Sequence, residues 1–260
     1  MQHGDDPTRN RNSDFYIERH GSVQSREEYA EQARQYQESQ AQNGGWWGRA
    51  TNVLFGDGRV EQRVHGNLSQ DAAILAQGTT IRPAPAMPNS YYEAVDHREM
   101  LRMVTEGVDP GMVGEVGALW KEAGNEMLAF QERIASAINN SQTEWQGEAG
   151  DAARKFMADL GNWVGEAGSS AQLTGTNIEL QSDAVATAQR SMPEPVDFDI
   201  NAANARLQQI DDPFELAKQS MADQAMFGAQ KAAQLEAAQV MGTYDGSLSG
   251  STTMPAFAQP

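Results

Sequence analysis

Four histidines, His3, His20, His65 and His97, are the first places to look for chemistry. None has a second histidine at the i, i+4 spacing by which a helix offers two imidazoles to one metal ion, so all four read as ordinary surface residues. Cysteine is absent, which removes disulfides, thiolate zinc sites and thiol nucleophiles together and leaves the redox compartment open. The acidic pairs Asp5-Asp6 and Asp211-Asp212 could be imagined as catalytic carboxylates, but they stand in a polar terminus and at a helix start, where acids are solvated or cap. No Gly-x-Ser-x-Gly elbow, Gly-x-Gly-x-x-Gly fingerprint or phosphate loop with Lys-Ser/Thr occurs. The run Gly111-Met-Val-Gly114-Glu-Val-Gly117 lies inside a helical stripe with no strand before it and reads as small residues allowing a close helix contact. No catalytic residue, cofactor or metal is expected, and the chain reads as non-enzymatic.

Charge and hydropathy narrow the partners. Among 260 residues, 36 Asp and Glu stand against 19 Lys and Arg, a formal charge of −17. Binding phosphates takes clustered cations, so no nucleic acid partner is expected. Apolar residues make up 39% and aromatic residues 7%, a thin core that favours elongated helical packing. Met1-Gln2-His3-Gly4-Asp5-Asp6 has neither the basic nor the apolar stretch of a Sec-type signal peptide. No uninterrupted apolar run of about 18 residues exists, so no transmembrane segment is expected.

The elements that would position any functional residue fall into three stretches. Residues 1–88 carry 11 acids and 9 bases, all nine of them arginine. They read as a loosely structured arm: polar and aperiodic to residue 24, a possible solvated helix over 25–42 ended by Gly44-Gly45, an irregular stretch around Trp46, Trp47 and Phe55, and a Pro-rich linker over 82–88. Residues 89–241 read as a helical domain. Asp109-Pro110 is a helix start, with Asp as the cap and Pro in the first helical position. Apolar positions then recur by threes and fours through Met112, Val116, Leu119/Trp120, Met127, Phe130, Ile134 and Ile138, a heptad-like stripe about 40 Å long if helical. A second stripe runs through Phe156, Leu160, Trp163, Ala171, Ile178, Val185 and Met192 until Pro193 and Pro195 stop it. Gly161, Gly165, Gly168 and Gly175 each cost up to about 1 kcal/mol relative to Ala and allow a kink. The two helices, over 110–192, predict an antiparallel hairpin that exposes an apolar seam carried by Trp120, Met127, Phe130, Phe156, Leu160 and Trp163. Further helices are expected over 200–241, with Asp199 and Asp212-Pro213 as starts and Phe214, Met221 and Leu235 on the apolar side, a candidate cover for the seam. Residues 242–260 read as a flexible tail.

Trp-x-Gly occurs at Trp46-Trp47-Gly48, Trp145-Gln146-Gly147 and Trp163-Val164-Gly165. Only the middle copy falls at the turn between the two long helices, where glycine accepts positive φ; Trp163 lies on the seam and reads as core. This helix-Trp-x-Gly-helix hairpin, with Glu148-Ala149-Gly150-Asp151-Ala152-Ala153 after it and Met192-Pro193-Glu194-Pro195 closing it, resembles the WXG superfamily and, within it, the PPE-type domain of actinobacterial type VII (ESX) secretion substrates. The resemblance covers about Asn89 to Phe198 well and the C-terminal helices loosely; the chain does not begin with the Pro-Pro-Glu that names the family.

What the resemblance implies is an all-α elongated bundle exported folded by the type VII secretion machinery, commonly paired with a small helical partner, with rings or another homo-oligomer as alternatives. It further implies a composite export motif of Trp145 and Gly147 with a Tyr-x-x-x-Asp element, for which Tyr92-Glu-Ala-Val-Asp96 is the match. Two readings of Tyr92 and Asp96 stay open: both lie on one helix face and complete the motif in cis, or, with six tyrosines in the chain, the match is coincidence. Its place before the hairpin favours the second. The leading functional expectation is a secreted or surface-associated protein acting by helix-mediated protein-protein contact. The alternatives are an intracellular scaffold or adaptor and the delivery domain of a larger secreted toxin.

Overall fold

The computed structural model describes residues 6–43, 45–83 and 90–257, and the regular structure among them is helical apart from one isolated antiparallel bridge, Ile81 to Pro255. In chain order the helices are α1 (Arg26–Asn43), α2 (Gly45–Gly78), α3 (His97–Thr105), α4 (Pro110–Ser141), α5 (Glu148–Ser191), α6 (Ile200–Leu207) and α7 (Pro213–Gly250), with a 3-10 turn, Tyr92–Ala94, before α3. The all-α class follows from the sequence periodicity. α1, α4 and α5 begin and end within a residue or a few of the expected positions. α6 is capped by Asp199, whose side chain accepts from the Asn201 and Ala202 amides, and Asp212 caps α7 by accepting from Phe214 N at 2.8 Å.

The chain packs as two compact units. One comprises Met1–Pro85, Gly111–Gln181 and Ser251–Pro260, the other Ala86–Pro110 and Ser182–Gly250. The expected division at 241/242 is therefore not where the described residues separate. Nor do 242–260 form a flexible tail as far as they are described: α7 continues through Gly242 to Gly250, and Ser251 is buried. The expected boundary at Asn89, most of the Pro-rich linker (84–88) and Gly44 lie outside the described residues.

The first unit corrects the picture of residues 1–88 as a loose arm. Gly45–Gly78 is one continuous helix, although Gly56, Gly58 and Gly66 lower its propensity. Val60, Val64 and Leu68 recur every fourth residue and are buried against Ala33, with Tyr29 and Ala30 of α1 and Leu180 of α5 beside them. Burial of this face outweighs the local preference. The polar segment before α1 is ordered as well. Ile17 is 1% exposed in a cluster with Ile134, Ala135, Ile138, Ala158 and Val164, and Thr8 is fully buried.

Toward the Trp145 end α4 and α5 meet in the apolar cluster of Ile134, Ala135, Ile138, Ala158 and Val164; elsewhere their contacts run through glycines and polar side chains. Gly117 meets Gly175 and Glu179, Gly124 meets Gly168 and Gln172, and the Gln131 carboxamide donates to Gly161 O at 3.0 Å, so numbers fall along α5 as they rise along α4. A Cβ at Gly124 would lie 2.7 Å from both Gln172 Cγ and Gly168 O, which shows how closely the backbones approach. α5 is not interrupted at its glycines; Gly161, Gly165, Gly168 and Gly175 are contact points instead. Lys121 Nζ and Glu179 Oε2 form a buried ion pair at 3.1 Å in this interface. Burial pushes the Glu179 carboxyl above its usual range, and the charge of Lys121 beside it works in the opposite direction.

In the second unit, Met100 and Val104 of α3, Ala188 of α5 and Ala237, Ala238 and Met241 of α7 form the core, flanked by Tyr92, Val95, Met192 and Tyr244. His97 is not a surface residue: it is buried, with its Nε2 3.0 Å from the Pro193 carbonyl. The expected apolar side of α7 is not the side it buries. Phe214, Met221 and Leu235 are exposed, while Asp223, Ala237, Ala238 and Met241 face inward.

Candidate functional site

The turn over residues 142–147 joins α4 to α5 and carries Trp145 and Gly147. Trp145 N donates to Ser141 O at 3.0 Å, continuing the C-terminal turn of α4, and Gly147 then reverses the chain at φ +91°. A side chain there would be strained, because that region of φ is open to glycine and closed to most other residues. Gly147 O accepts from the amides of Gly150 and Asp151 at 3.0 and 3.1 Å, which starts α5. A Cβ at Gly150 would stand 2.5 Å from Trp145 O, so this position also requires glycine. Trp145 is 54% exposed. It does not cap the end of a core; a bulky apolar side chain is presented to solvent on a fixed turn.

Arg154, which sequence reasoning passed over, fixes that turn. It is 4% exposed, its Nη1 donates to Ser141 O at 3.2 Å and Trp145 O at 2.9 Å, and its Nη2 pairs with Asp151 Oδ1 at 2.6 Å. The guanidinium also stands 5.6 Å from the centroid of the Phe15 ring. Arg154 is in the second turn of α5, past the reach of the macrodipole, and nothing in the local sequence marks this role.

Tyr92 and Asp96 do not share a helix face. The 3-10 turn ends at Ala94, Val95 is extended, and Asp96 is the extended N-cap of α3, its side chain accepting from Arg98 N at 2.9 Å. The Tyr92 hydroxyl pairs with Asp245 Oδ1 at 3.0 Å, and burial raises its pKa above the ordinary tyrosine value. The Tyr92 side chain ties to α7 and the Asp96 side chain caps α3, and the backbone between them is not helical, so the i, i+4 reading of the pair is not supported.

The expected seam residues take two orientations. Trp163 and Leu160 pack against the Ile17 cluster. Trp120, Met127 and Phe130 are 40 to 47% exposed and Phe156 is 70% exposed, with Trp120 lying 6.2 Å from Phe257 between ring centroids. The buried residues of α4 are Gly117, Lys121, Gly124, Leu128, Gln131, Ile134, Ala135 and Ile138; Ile134 and Ile138 belong to the apolar stripe, and most of the others stand one residue on from it. Backbone proximity at the glycines, together with the buried ion pair and carboxamides, decides the register, and the bulky residues are left outward. The Trp46-Trp47-Gly48 side chains lie outside those described.

Among the described residues, no group of three or more His, Asp or Glu is arranged to hold a metal ion. No helix among them is long and apolar enough to cross a membrane. Comparison with curated proteins and with solved structures returned no match in either case. The family model described as PPE family matches residues 100–255, which takes in α4, the Trp145 turn, α5, α6 and α7 and leaves Tyr92 and Asp96 outside. With more than half of its length matched, the chain belongs to the PPE family.

Proposed function

We propose that the chain is a non-enzymatic substrate of a type VII secretion machine, released or held at the cell surface, and that it acts by helix-mediated protein-protein contact. The observation that carries this reading is the Trp145 turn of a PPE-family domain: a tryptophan 54% exposed on a backbone that Arg154 and Gly147 hold in one conformation. An exposed aromatic on a rigid turn suits recognition, because it offers a large apolar area at little cost in conformational entropy. In this reading α4 and α5 form the antiparallel Trp-x-Gly hairpin, and the secretion apparatus reads its tip. The outward residues Trp120, Met127, Phe130 and Phe156 are the contact face for a small helical partner or a further copy.

The test is immunoblotting of washed cells and culture filtrate, with a lysis control, for wild type and Trp145→Ala in the native host. Wild type in the filtrate with a folded Trp145→Ala held in the cell supports export through the turn. Equal secretion of the two removes the turn from the signal. Retention of both leaves an intracellular scaffold, which the same exposed apolar residues would serve.

A further inference from the structure

Residues 16–25 belong to no helix or strand, yet their main chain from Tyr16 to Val23 is held by four carboxamides of α4 and α5. Asn162 accepts from Glu18 N at 2.8 Å and donates to Tyr16 O at 3.0 Å. Gln131 donates to Glu18 O at 2.8 Å, Gln172 donates to Gly21 O at 3.2 Å, and Asn125 both accepts from Val23 N at 3.1 Å and donates to Val23 O at 3.0 Å. Gln131 and Gln172 are 1% and 0% exposed. Buried carboxamides are costly unless paired; Gln131 also donates to Gly161 O at 3.0 Å and Gln172 to Asn125 Oδ1 at 2.8 Å, and the other hydrogen bonds of the row go to the main chain of residues 16–23.

Three side chains of the segment meet the row's surroundings, and of these His20 lies beside Gly165 of α5, where a Cβ would stand 3.0 Å from its ring. Ile17 fills the apolar end beside Gly161, where a Cβ would lie 2.8 Å from Ile17 Cδ1. Arg19 pairs with Glu132 at 2.9 Å. At Gly21 a Cβ would meet nothing within 4 Å, so this position accepts any residue. Gln172 Oε1, fully buried, has no hydrogen-bond partner among the described residues, an acceptor that residues 16–23 leave unused.

We infer that the row Asn162, Gln131, Gln172 and Asn125 is a peptide-binding groove, occupied in the free chain by its own residues 16–23. The ligand class is a peptide segment read through its main chain, with a branched aliphatic residue two positions before an arginine, and with an N–H for Gln172 Oε1. The chain's own segment acts as a placeholder. Its covalent attachment gives it a high effective concentration, so a competing peptide binds only in proportion to the fraction of chains whose groove is open.

The test is fluorescence anisotropy of a labelled synthetic peptide spanning Ser13 to Gln24, titrated with the full-length chain as wild type and as Ile17→Asp, which ejects the resident segment by placing a charge in the apolar end. Folding of the variant is verified by circular dichroism. The expected result is peptide binding at least about ten-fold tighter to the variant than to wild type, and loss of that binding when the peptide itself carries Ile17→Asp. A folded variant that binds no better than wild type overturns the inference. If Ile17→Asp does not fold, Ile17→Ala takes its place in the same titration with the same two outcomes. Hydrogen exchange of wild type gives an independent reading: the Glu18 and Val23 amides are expected to open ahead of the α4 and α5 cores, and exchange in step with them overturns the placeholder role.

Discussion

Two residues of the Trp145 turn have separable roles. Trp145 presents its ring to solvent, and Arg154 holds the backbone from beneath. Trp145→Ala is expected to change stability by less than about 1 kcal/mol, as surface truncations do. Arg154→Ala, which leaves the Ser141 and Trp145 carbonyls without their buried cation, is expected to lose about 2 kcal/mol or more. Urea denaturation followed by circular dichroism distinguishes the two. Glu179 supports a second prediction at this scale. Its carboxyl binds a proton more tightly in the folded chain than at its ordinary pKa of 4.5, because burial opposes the charged form. A raised folded-state pKa adds stability below the unfolded-state value, and that stability is lost as pH rises through the folded-state value. Glu179→Gln, which stays neutral throughout, is therefore expected to gain on wild type as pH is raised from about 4.5 toward neutral. Urea midpoints across that window measure the slope, and a variant falling behind with rising pH would mean that the pairing with Lys121 outweighs burial.

At the scale of elements, glycine has opposite meanings in α5 and α7. Gly168 and Gly175 of α5, and Gly117 and Gly124 of α4, are where the two backbones meet, whereas Gly228 and Gly242 of α7 have nothing within 4 Å of a would-be Cβ. Gly124→Ala is expected to destabilise by about 1–3 kcal/mol through overpacking. Gly242→Ala is expected to stabilise by about 0.5–1 kcal/mol, since alanine is the better helix former and meets no obstacle. Thermal denaturation of both variants checks the pair of signs. In α4, helix existence and helix packing are thus largely set by different residues, whereas in α2 the fourfold spacing of Val60, Val64 and Leu68 marks the packed face as well.

The whole molecule carries a formal charge of −17. Self-repulsion at that charge opposes compactness and is screened by salt. The denaturation midpoint is expected to rise as sodium chloride is increased from about 10 mM to about 0.15 M, over which the Debye length falls from roughly 30 to 8 Å. Double-stranded DNA is expected to show no mobility shift with the protein at physiological salt, since association requires cations to displace phosphate counterions. A clear shift would point to a local basic face that the net charge conceals.

The sequence by itself determined the helices whose signals are local. Asp199 and Asp212 cap, Pro110 starts α4, Pro193 ends the run after α5, and threefold and fourfold spacing marks α4 and α5 throughout. The Trp145-Gly147 turn was legible for the same reason, since its glycine answers a backbone requirement that a few neighbouring residues impose. Tertiary structure alone decided which faces close. In α4, glycines and a buried Lys121–Glu179 pair set the contact with α5, and Trp120, Met127 and Phe130 were left outward, a choice that depends on residues about 50 positions away. It also ordered what looked disordered. Residues 16–23 have no periodicity of their own to read, because the partners of their backbone are Asn125, Gln131, Asn162 and Gln172, more than 100 positions along the chain. Local spacing encodes local hydrogen bonds; hydrogen bonds between distant segments exist only once the chain has folded.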